Sequence, residues 1–428
     1  MKFKFYFLLL SGFSFFLYFT NLGYSIQTFT LQEVILAGIK NNPEIKISEK
    51  IKEEYFYQKN LIRAEFFPKL YVNYNYQRYD MGKNKPILNL HSLGPTLNWN
   101  IFSGFSTWHA YREALLLVLA QDENIKTKTL EVVLEIVRAY LDYFKQKALY
   151  EAALADLEDA KTLLRLAQKK YEVGLSPYAD VLDAEARVKE AEFKVINYKY
   201  TSEIAKAKVL TLINYDLLKI EEVEFLPIEE THLKPKTLEE SLKLGLVKRP
   251  ELKSKEKEVL AQKEKVNSVK GEFYPTVDLF ATYYKEDSKF FPEQDYEFLA
   301  GVKISFPLFT GFSTWAKLSQ AKRALERKTW EKNNVELLIK QEIFTVYKNW
   351  QTADESYKSA QALLKSMEEN YRIIQKKYEI GLASIVDVTT VLARLSAARA
   401  QMVTSKYDLI FTYYSLIKAT GLIPGLEE

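Results

Sequence analysis

The sequence predicts a mainly α-helical chain with a small transmembrane β part, in a helix-strand-strand-helix-helix unit written twice. Three observations carry that expectation: an internal repeat, segments of alternating polarity, and two very long runs without a helix breaker. Phe102-Ser103-Gly104-Phe105-Ser106-Thr107-Trp108 returns as Phe309-Thr310-Gly311-Phe312-Ser313-Thr314-Trp315. Lys169-Lys170-Tyr171-Glu172-Val173-Gly174-Leu175 returns as Lys376-Lys377-Tyr378-Glu379-Ile380-Gly381-Leu382. Pro43 and Pro68 return as Pro250 and Pro275, and every pair is 207 positions apart. Both halves therefore read as contributions to one pseudo-symmetric object.

The first residues read as an export signal spanning 1–25. Lys2 and Lys4 precede an apolar stretch from Phe5 to Phe19, with Gly23 and Ser25 at −3 and −1 of a cleavage site. At about 15 residues the stretch is short against the roughly 20 that span a bilayer. No later segment holds 18 consecutive apolar residues. A membrane crossing would thus fall to strands.

The first repeat is expected over 26–217 and the second over 238–428, joined by a Glu-rich linker at 218–237 expected to pack around the outside at mid-height. Each opens with a helical stretch, Leu31 to about Glu65 and Leu238 to about Glu272. Pro43 and Pro250 divide each stretch in two, because proline cannot sit inside a helix. Pro68 and Pro275 end it.

Strands are then expected at about 68–78 and 93–102, and again at 275–285 and 298–309. Leu70, Val72, Tyr74 and Tyr76 share one face, against Lys69, Asn73, Asn75 and Gln77. Leu93, Pro95, Leu97, Trp99 and Ile101 likewise oppose Gly94, Thr96, Asn98 and Asn100. The second half repeats this with Val277, Leu279, Ala281 and Tyr283, then Ala300, Val302, Ile304, Phe306 and Leu308. Period-two alternation is the strand signature. An apolar face bearing aromatics (Tyr74, Tyr76 and Trp99) suits a membrane barrel with aromatics at its interfaces. A soluble sandwich strand alternates in the same way.

Between Gly104 and Gly174 lie 69 residues without glycine or proline, and Gly311 to Gly381 is the same. Helices at about 105–173 and 312–380 would each be about 100 Å long at 1.5 Å per residue. Leu130, Leu134, Val137, Leu141 and Phe144, then Leu157, Ala160, Leu164, Ala167 and Tyr171, give the three-and-four spacing of a coiled-coil seam. Leu364, Met367, Tyr371, Ile374 and Tyr378 repeat it. Gly174 and Gly381 end the long helices as left-handed C′ residues. Return helices follow at about 177–218 and 385–420.

Four strands have two open edges, which hydrocarbon does not tolerate. Single-chain barrels need about eight strands, so partner copies must close the sheet. Two copies would give a barrel filled by side chains. Three would give about twelve strands and an open lumen, and long helices around the circumference select that larger ring. The expected architecture is a trimeric 12-stranded β-barrel continued by a long α-helical coiled-coil barrel.

At this point the residues resemble a known family. The duplicated plan, the G-F-S segment after the second strand, and the tip sequence Tyr-x-x-Gly-Leu-x-x-x-x-Asp-Val are similar to TolC-family outer-membrane efflux proteins. The tip sequence occurs from Tyr171 to Val181 and from Tyr378 to Val388. The resemblance covers both repeats and implies an exit duct in the outer membrane of a Gram-negative bacterium. It implies a homotrimer set in outer-membrane lipid and reaching across the periplasm. Its partners would be a periplasmic adaptor protein and an inner-membrane pump, in tripartite efflux or type I secretion. It further implies that Tyr378 and Asp180 form one link of a gate at the helical tip, and that Asp387 lines the constriction. Two positions depart from the family pattern. Ala383 stands where an arginine is expected, and Thr390 where a second aspartate ring is expected. For Asp180 and Asp387 the residues also fit carboxylates in the first turn of a helix. Tyr171 and Tyr378 also fit seam packing.

Other function classes find little support. His91, His109 and His232 are far apart in sequence and there is no cysteine. No metal, cofactor or catalytic constellation is expected. The net charge is +4, or +2 without Lys2 and Lys4, too small for nucleic-acid binding driven by charge. A soluble coiled-coil tether and a stand-alone diffusion porin are the rival readings.

Overall fold

The structure, a computed structural model, describes residues 27–80, 82–83, 86–228, 235–293 and 295–426. The expected signal segment lies outside them, as do residues 229–234 of the linker.

Each half opens on a capped helix pair. α1 (Leu31–Asn41) and α5 (Leu238–Lys248) begin with capping boxes, Thr30 with Glu33 and Thr237 with Glu240. These satisfy amides that no helix turn can reach. α2 (Pro43–Ala64) and α6 (Pro250–Gly271) start on the prolines, where the missing N–H costs nothing. The residue before each proline does the same work in both halves. Asn42 Nδ2 donates to the Leu212 carbonyl at 2.8 Å, and Arg249 Nη1 donates to the Ala419 carbonyl at 3.3 Å. Those carbonyls end the two return helices, α4 (Tyr178–Leu212) and α8 (Ile385–Ala419).

β2 (Lys69–Tyr79), β3 (Leu88–Ser103), β5 (Thr276–Asp287) and β6 (Asp295–Ser305) form one antiparallel sheet in the order β2-β3-β5-β6. Register carries one apolar face across it: Leu70 opposite Leu97, Leu97 opposite Ala281, Ala281 opposite Ala300. The other face is polar and bonded across strands, with Asn73 to Thr96 at 3.2 Å and Asn100 to Asp278 at 2.7 Å. Gly94 and Pro95 interrupt the β3–β5 ladder, since pairing runs from Leu93 with Lys285 to Thr96 with Thr282. A Cβ on Gly94 would stand 1.9 Å from the Tyr283 carbonyl oxygen.

Four strand expectations are corrected. β3 starts at Leu88 rather than 93 and pairs with β2 as far as Tyr79, because polar Asn89 and His91 hide its beginning. β6 begins at Asp295 rather than 298. It stops at Ser305 rather than 309, since Pro307 has no N–H for a ladder. Phe306 and Leu308 therefore lie beyond the strand. A bulge between Asn100 and Phe102 sets Ile101 outside the pairing, so Phe102 rather than Ile101 faces Val277.

The G-F-S turn connects sheet to helix. Gly104 and Phe105 both take positive φ, 61° and 64°, as do Gly311 and Phe312, 64° and 66°. A phenylalanine there is strained. It is held by an edge-on ring contact, Phe102 with Phe105 at 5.1 Å and Phe309 with Phe312 at 5.4 Å. The repeated motif is thus a conformational requirement. From it start α3 (Ser106–Glu172) and α7 (Ser313–Glu379), each 67 residues and so about 100 Å long. Neighbouring helices pack in the order α7-α8-α3-α4.

The return helix α4 ends at Leu212, not 218. Asn214 takes φ 55°, and Tyr215 N bonds Leu210 O at 2.9 Å, a Schellman end in which asparagine replaces glycine. Its equivalent is Gly421, φ 82°. Beyond lie a 3-10 turn (Leu217–Glu222) and β4 (Val223–Phe225), which pairs in parallel with β1 (Gln27–Phe29). Buried Tyr140 locks this small sheet to α3, donating to the carbonyls of Leu226 at 2.5 Å and Phe29 at 3.3 Å. Around it sits the largest apolar cluster, with Ile35, Ile136, Val209, Leu210 and Phe225 fully buried. Each such side chain contributes about 1.5–3 kcal/mol. No helix among the described residues is long and apolar enough to cross a membrane.

Candidate functional site at the helical tip

The tip holds two turns of one design. Gly174 (φ 74°) and Gly381 (φ 80°) sit at C′. Leu175 N reaches Lys170 O at 2.8 Å and Leu382 N reaches Lys377 O at 2.8 Å. Gly174 N reaches Tyr171 O and Gly381 N reaches Tyr378 O, completing Schellman motifs. Alanine at either glycine meets nothing within 4 Å, so only the left-handed backbone resists it.

Beneath the turns the two hairpins share a core of Ala160, Leu163, Ala167, Val181, Ala184, Val188, Tyr378, Val388 and Leu392, among others. Small residues let α3, α4 and α8 approach closely. Tyr378 is 3% exposed, and its hydroxyl has no hydrogen-bond partner among the described residues. Burial pushes its phenol above the ordinary range, and the charge of Asp180 adds to that. Asp180 thus lies close enough to act on Tyr378, although no hydrogen bond joins them in one chain. The Lys170 ammonium sits 4.2 Å over the Tyr378 ring and donates to its backbone carbonyl. Tyr171, the equivalent of Tyr378, is 48% exposed and rests on Tyr178 at 5.3 Å. Seam packing within one chain therefore holds for Tyr378 and not for Tyr171.

Asp387 lies apart from that pair. It closes a capping box on α8, accepting from Ser384 N at 2.9 Å and Ser384 Oγ at 2.8 Å. Those bonds, the backbone one first, hold its carboxyl below the ordinary range. A depressed folded-state pKa stabilises the cap fully above the usual carboxylate pKa. That contribution fades as pH falls through the depressed value.

A second contact was missed in the sequence. Arg399 of α8 donates from one nitrogen to Asp156 at 2.6 Å and Asp159 at 2.8 Å, both on α3. Burial works against the guanidinium charge, but the two carboxylates outweigh it. Lys194 of α4 adds a bond to Ser396 of α8 at 3.2 Å. The available signal was asymmetry between repeats: Asp156, Asp159 and Arg399 have Leu363, Ser366 and Glu192 as their equivalents.

The aromatics expected at the membrane interfaces, Tyr74, Tyr76 and Trp99, divide between the ends of the sheet. Tyr74 and Tyr76 gather at His91, with Tyr74 Oη 2.5 Å from His91 Nδ1 and the Tyr76 ring 4.7 Å from the imidazole. Trp99 lies near the helices and donates to the Phe66 carbonyl at 2.9 Å. No group of three or more metal-ligating side chains occurs among the described residues.

The sequence model of the family described as outer membrane efflux protein matches residues 36–214 and 242–422, both repeats. The chain belongs to that family. Among outer membrane efflux proteins it is 22% identical to BepC of Brucella suis biovar 1, over 93% of this chain and 87% of that one. It is 21% identical to AprF of Pseudomonas aeruginosa, an alkaline protease secretion protein, over 90% of this chain and 83% of the relative. The solved outer membrane protein VceC of Vibrio cholerae superimposes with a TM-score of 0.79 at 17% identity, covering 93% and 97% of the two chains. A likeness at that identity concerns the fold.

Proposed function

We propose that this protein is the outer-membrane exit duct of a tripartite efflux or type I secretion system, conducting passively as a homotrimer. The observation that carries the reading is the open sheet. One chain offers four strands to this sheet, with β2 and β6 as free edges, joined through G-F-S turns to helices about 100 Å long. Lipid does not tolerate such edges, and three copies close them into twelve strands around an open lumen. Membership in the outer membrane efflux protein family supports the same reading.

The spacing of aromatics agrees. His91, where Tyr74 and Tyr76 gather, and Trp99 are eight residues apart on β3, about 26 Å at 3.3 Å per residue. At the 35–45° tilt of barrel strands this covers about 20 Å of the membrane normal, which fits within the roughly 25 Å apolar band of a membrane barrel. Tyr74 and Tyr76 then mark one lipid interface and Trp99 the other. The helical barrel extends into the periplasm, where its tip meets a periplasmic adaptor and an inner-membrane pump. Such a conduit performs no chemistry of its own.

At the tip, Asp180 and Tyr378 belong to the gate, and three copies of Asp387 line its constriction. Like charges around a threefold axis attract multivalent cations. Asp387→Ala is expected to weaken block of single channels by a trivalent cation by roughly tenfold, the scale of local counter-ion enrichment. Ser384→Ala removes the capping partner but not the charge, and should leave block unchanged. Equal block in wild type and Asp387→Ala would remove Asp387 from the lumen.

A further inference from the structure

The apolar face of the sheet runs through Leu70, Val72, Leu97, Ala281 and Val302. Among the described residues its strands place a permanent charge on that face at three positions, Arg78, Lys285 and Asp287. All three lie at the rim away from the helices. Arg78 and Lys285 are 207 residues apart and so equivalent, as are Tyr76 and Tyr283. Each repeat thus ends its first strand with an aromatic ring and, two residues on, a cation on the same face. Both cations are exposed, and neither forms an ion pair among the described residues. The nearby carboxylates are engaged elsewhere. Asp80 accepts from Gly82 N at 3.0 Å and its equivalent Asp287 from Lys289 N at 3.4 Å, each opening the turn of its own loop.

Phe290 folds back from the second loop toward the rings of Tyr74 and His91, 5.5 and 6.1 Å away, and stays 63% exposed. Apolar rings therefore lie beside unpaired cations, the profile of a boundary between acyl chains and charged headgroups. Arg78 stands opposite Asn89 and Lys285 opposite Leu93, two strands apart and four residues offset. Such an offset is the slant that strand tilt gives a closed wall, so the two cations share one height. They are about 16 Å apart, at about 4.8 Å between strands and 3.3 Å per residue.

We propose that this rim binds phosphate-bearing lipids of the outer leaflet, with Arg78 and Lys285 each holding a phosphate. The inference rests on the duct reading, which sets this face in lipid and this rim outermost. The occupant follows from the place. A molecule that reaches Arg78 or Lys285 from this side keeps its apolar part against Leu70, Val72 and their neighbours and its anion at the rim. That is the build of an acidic lipid. The guanidinium fork of Arg78 matches a phosphate at two points, and the long stem of Lys285 carries its ammonium up from the apolar surface. Three copies would set six such cations around the wall.

Full-length protein in neutral detergent is titrated with lipid A, an acylated sugar bearing two phosphates, and bound lipid is counted by native mass measurement. Wild type is expected to retain it. Arg78→Gln and Lys285→Gln should each weaken retention about fivefold, and the double variant about twenty-five-fold, the scale of basic residues at an anionic lipid surface. The charge-keeping variant Arg78→Lys/Lys285→Arg should bind as wild type does. So should Lys303→Gln, altered on the polar face opposite Asp278. The dephosphorylated lipid should not be retained, and excess inorganic phosphate should not displace lipid A. Wild-type retention by either single variant and by the double variant would overturn the site. Equal retention of the dephosphorylated lipid would overturn phosphate recognition, and displacement by inorganic phosphate would make this a site for the free anion. Loss in Lys303→Gln alone would put the polar face in lipid and overturn the duct reading. Single-chain particles that still need Arg78 and Lys285 would overturn the trimer and spare the site.

Discussion

Gly94→Val is expected to abolish the β-barrel and leave protein that does not reach the outer membrane. Any Cβ at this position would meet backbone, 1.9 Å from the Tyr283 oxygen and 2.6 Å from Tyr284 Cα. Backbone has no rotamer into which to retreat, so the two central strands must separate. Overpacking that a side chain can absorb costs about 1–3 kcal/mol. This clash exceeds that range, and Pro95 beside it already denies the ladder one donor. The contrast is Gly301→Ala, whose Cβ meets only the Phe280 ring at 2.9 Å. That ring can tilt. Heat-modified mobility on a denaturing gel, which reports folded barrel, should be lost in Gly94→Val and kept in Gly301→Ala. Equal mobility in both would show that β3 and β5 are not this close.

Arg249→Met should produce the largest loss of stability among single changes in the helical part, about 3 kcal/mol, the scale for breaking a buried ion pair from one side. The guanidinium is 4% exposed and donates to Glu342 at 2.7 Å, to Glu251 at 2.9 Å and to the Ala419 carbonyl. Burial raises the Glu342 carboxyl, but Arg249 and Lys418 outweigh it and hold the group below the ordinary range. Removing Arg249 strands that charge beside Lys418 alone, at 3.0 Å. The double variant Arg249→Met/Glu342→Leu should recover part of the loss, because the stranded Glu342 carboxylate is gone while Lys418 and Glu251 each lose a partner. Denaturant unfolding of both variants decides this. No recovery at all would assign the loss to the other partners of Arg249, Glu251 and the Ala419 carbonyl, rather than to a stranded Glu342.

Helices and tip turns were more legible than strand ends, and the reason is physical. A 69-residue run without glycine or proline leaves little alternative to helix. Gly174 and Gly381 are the residues that a left-handed C′ position prefers. At Asn214 the same backbone geometry is taken by a residue that also fits a helix or a loop, so the end of α4 was misplaced. Strand ends failed where polarity stopped alternating, as at Asn89 and His91, or where a bulge changed the phase, as at Ile101. The strands β1 and β4, three residues each, carry no periodicity to detect.

At the tip, Tyr378 was found through family resemblance, and the structure places it in the seam beside Lys170. The clasp of Arg399 with Asp156 and Asp159 was missed because a pattern of apolar positions cannot say which charged residue is buried. Comparing the repeats position by position would have exposed it. A lone sequence of two near-copies carries that comparison within itself, and Tyr171 against Tyr378 shows how much it tells.

In the proposed duct a single chain leaves the membrane wall unfinished. Native mass measurement of the detergent-extracted, folded protein tests it most directly. A particle of three chains, with no stable smaller species, is the predicted result. A well-folded particle containing one chain would contradict it.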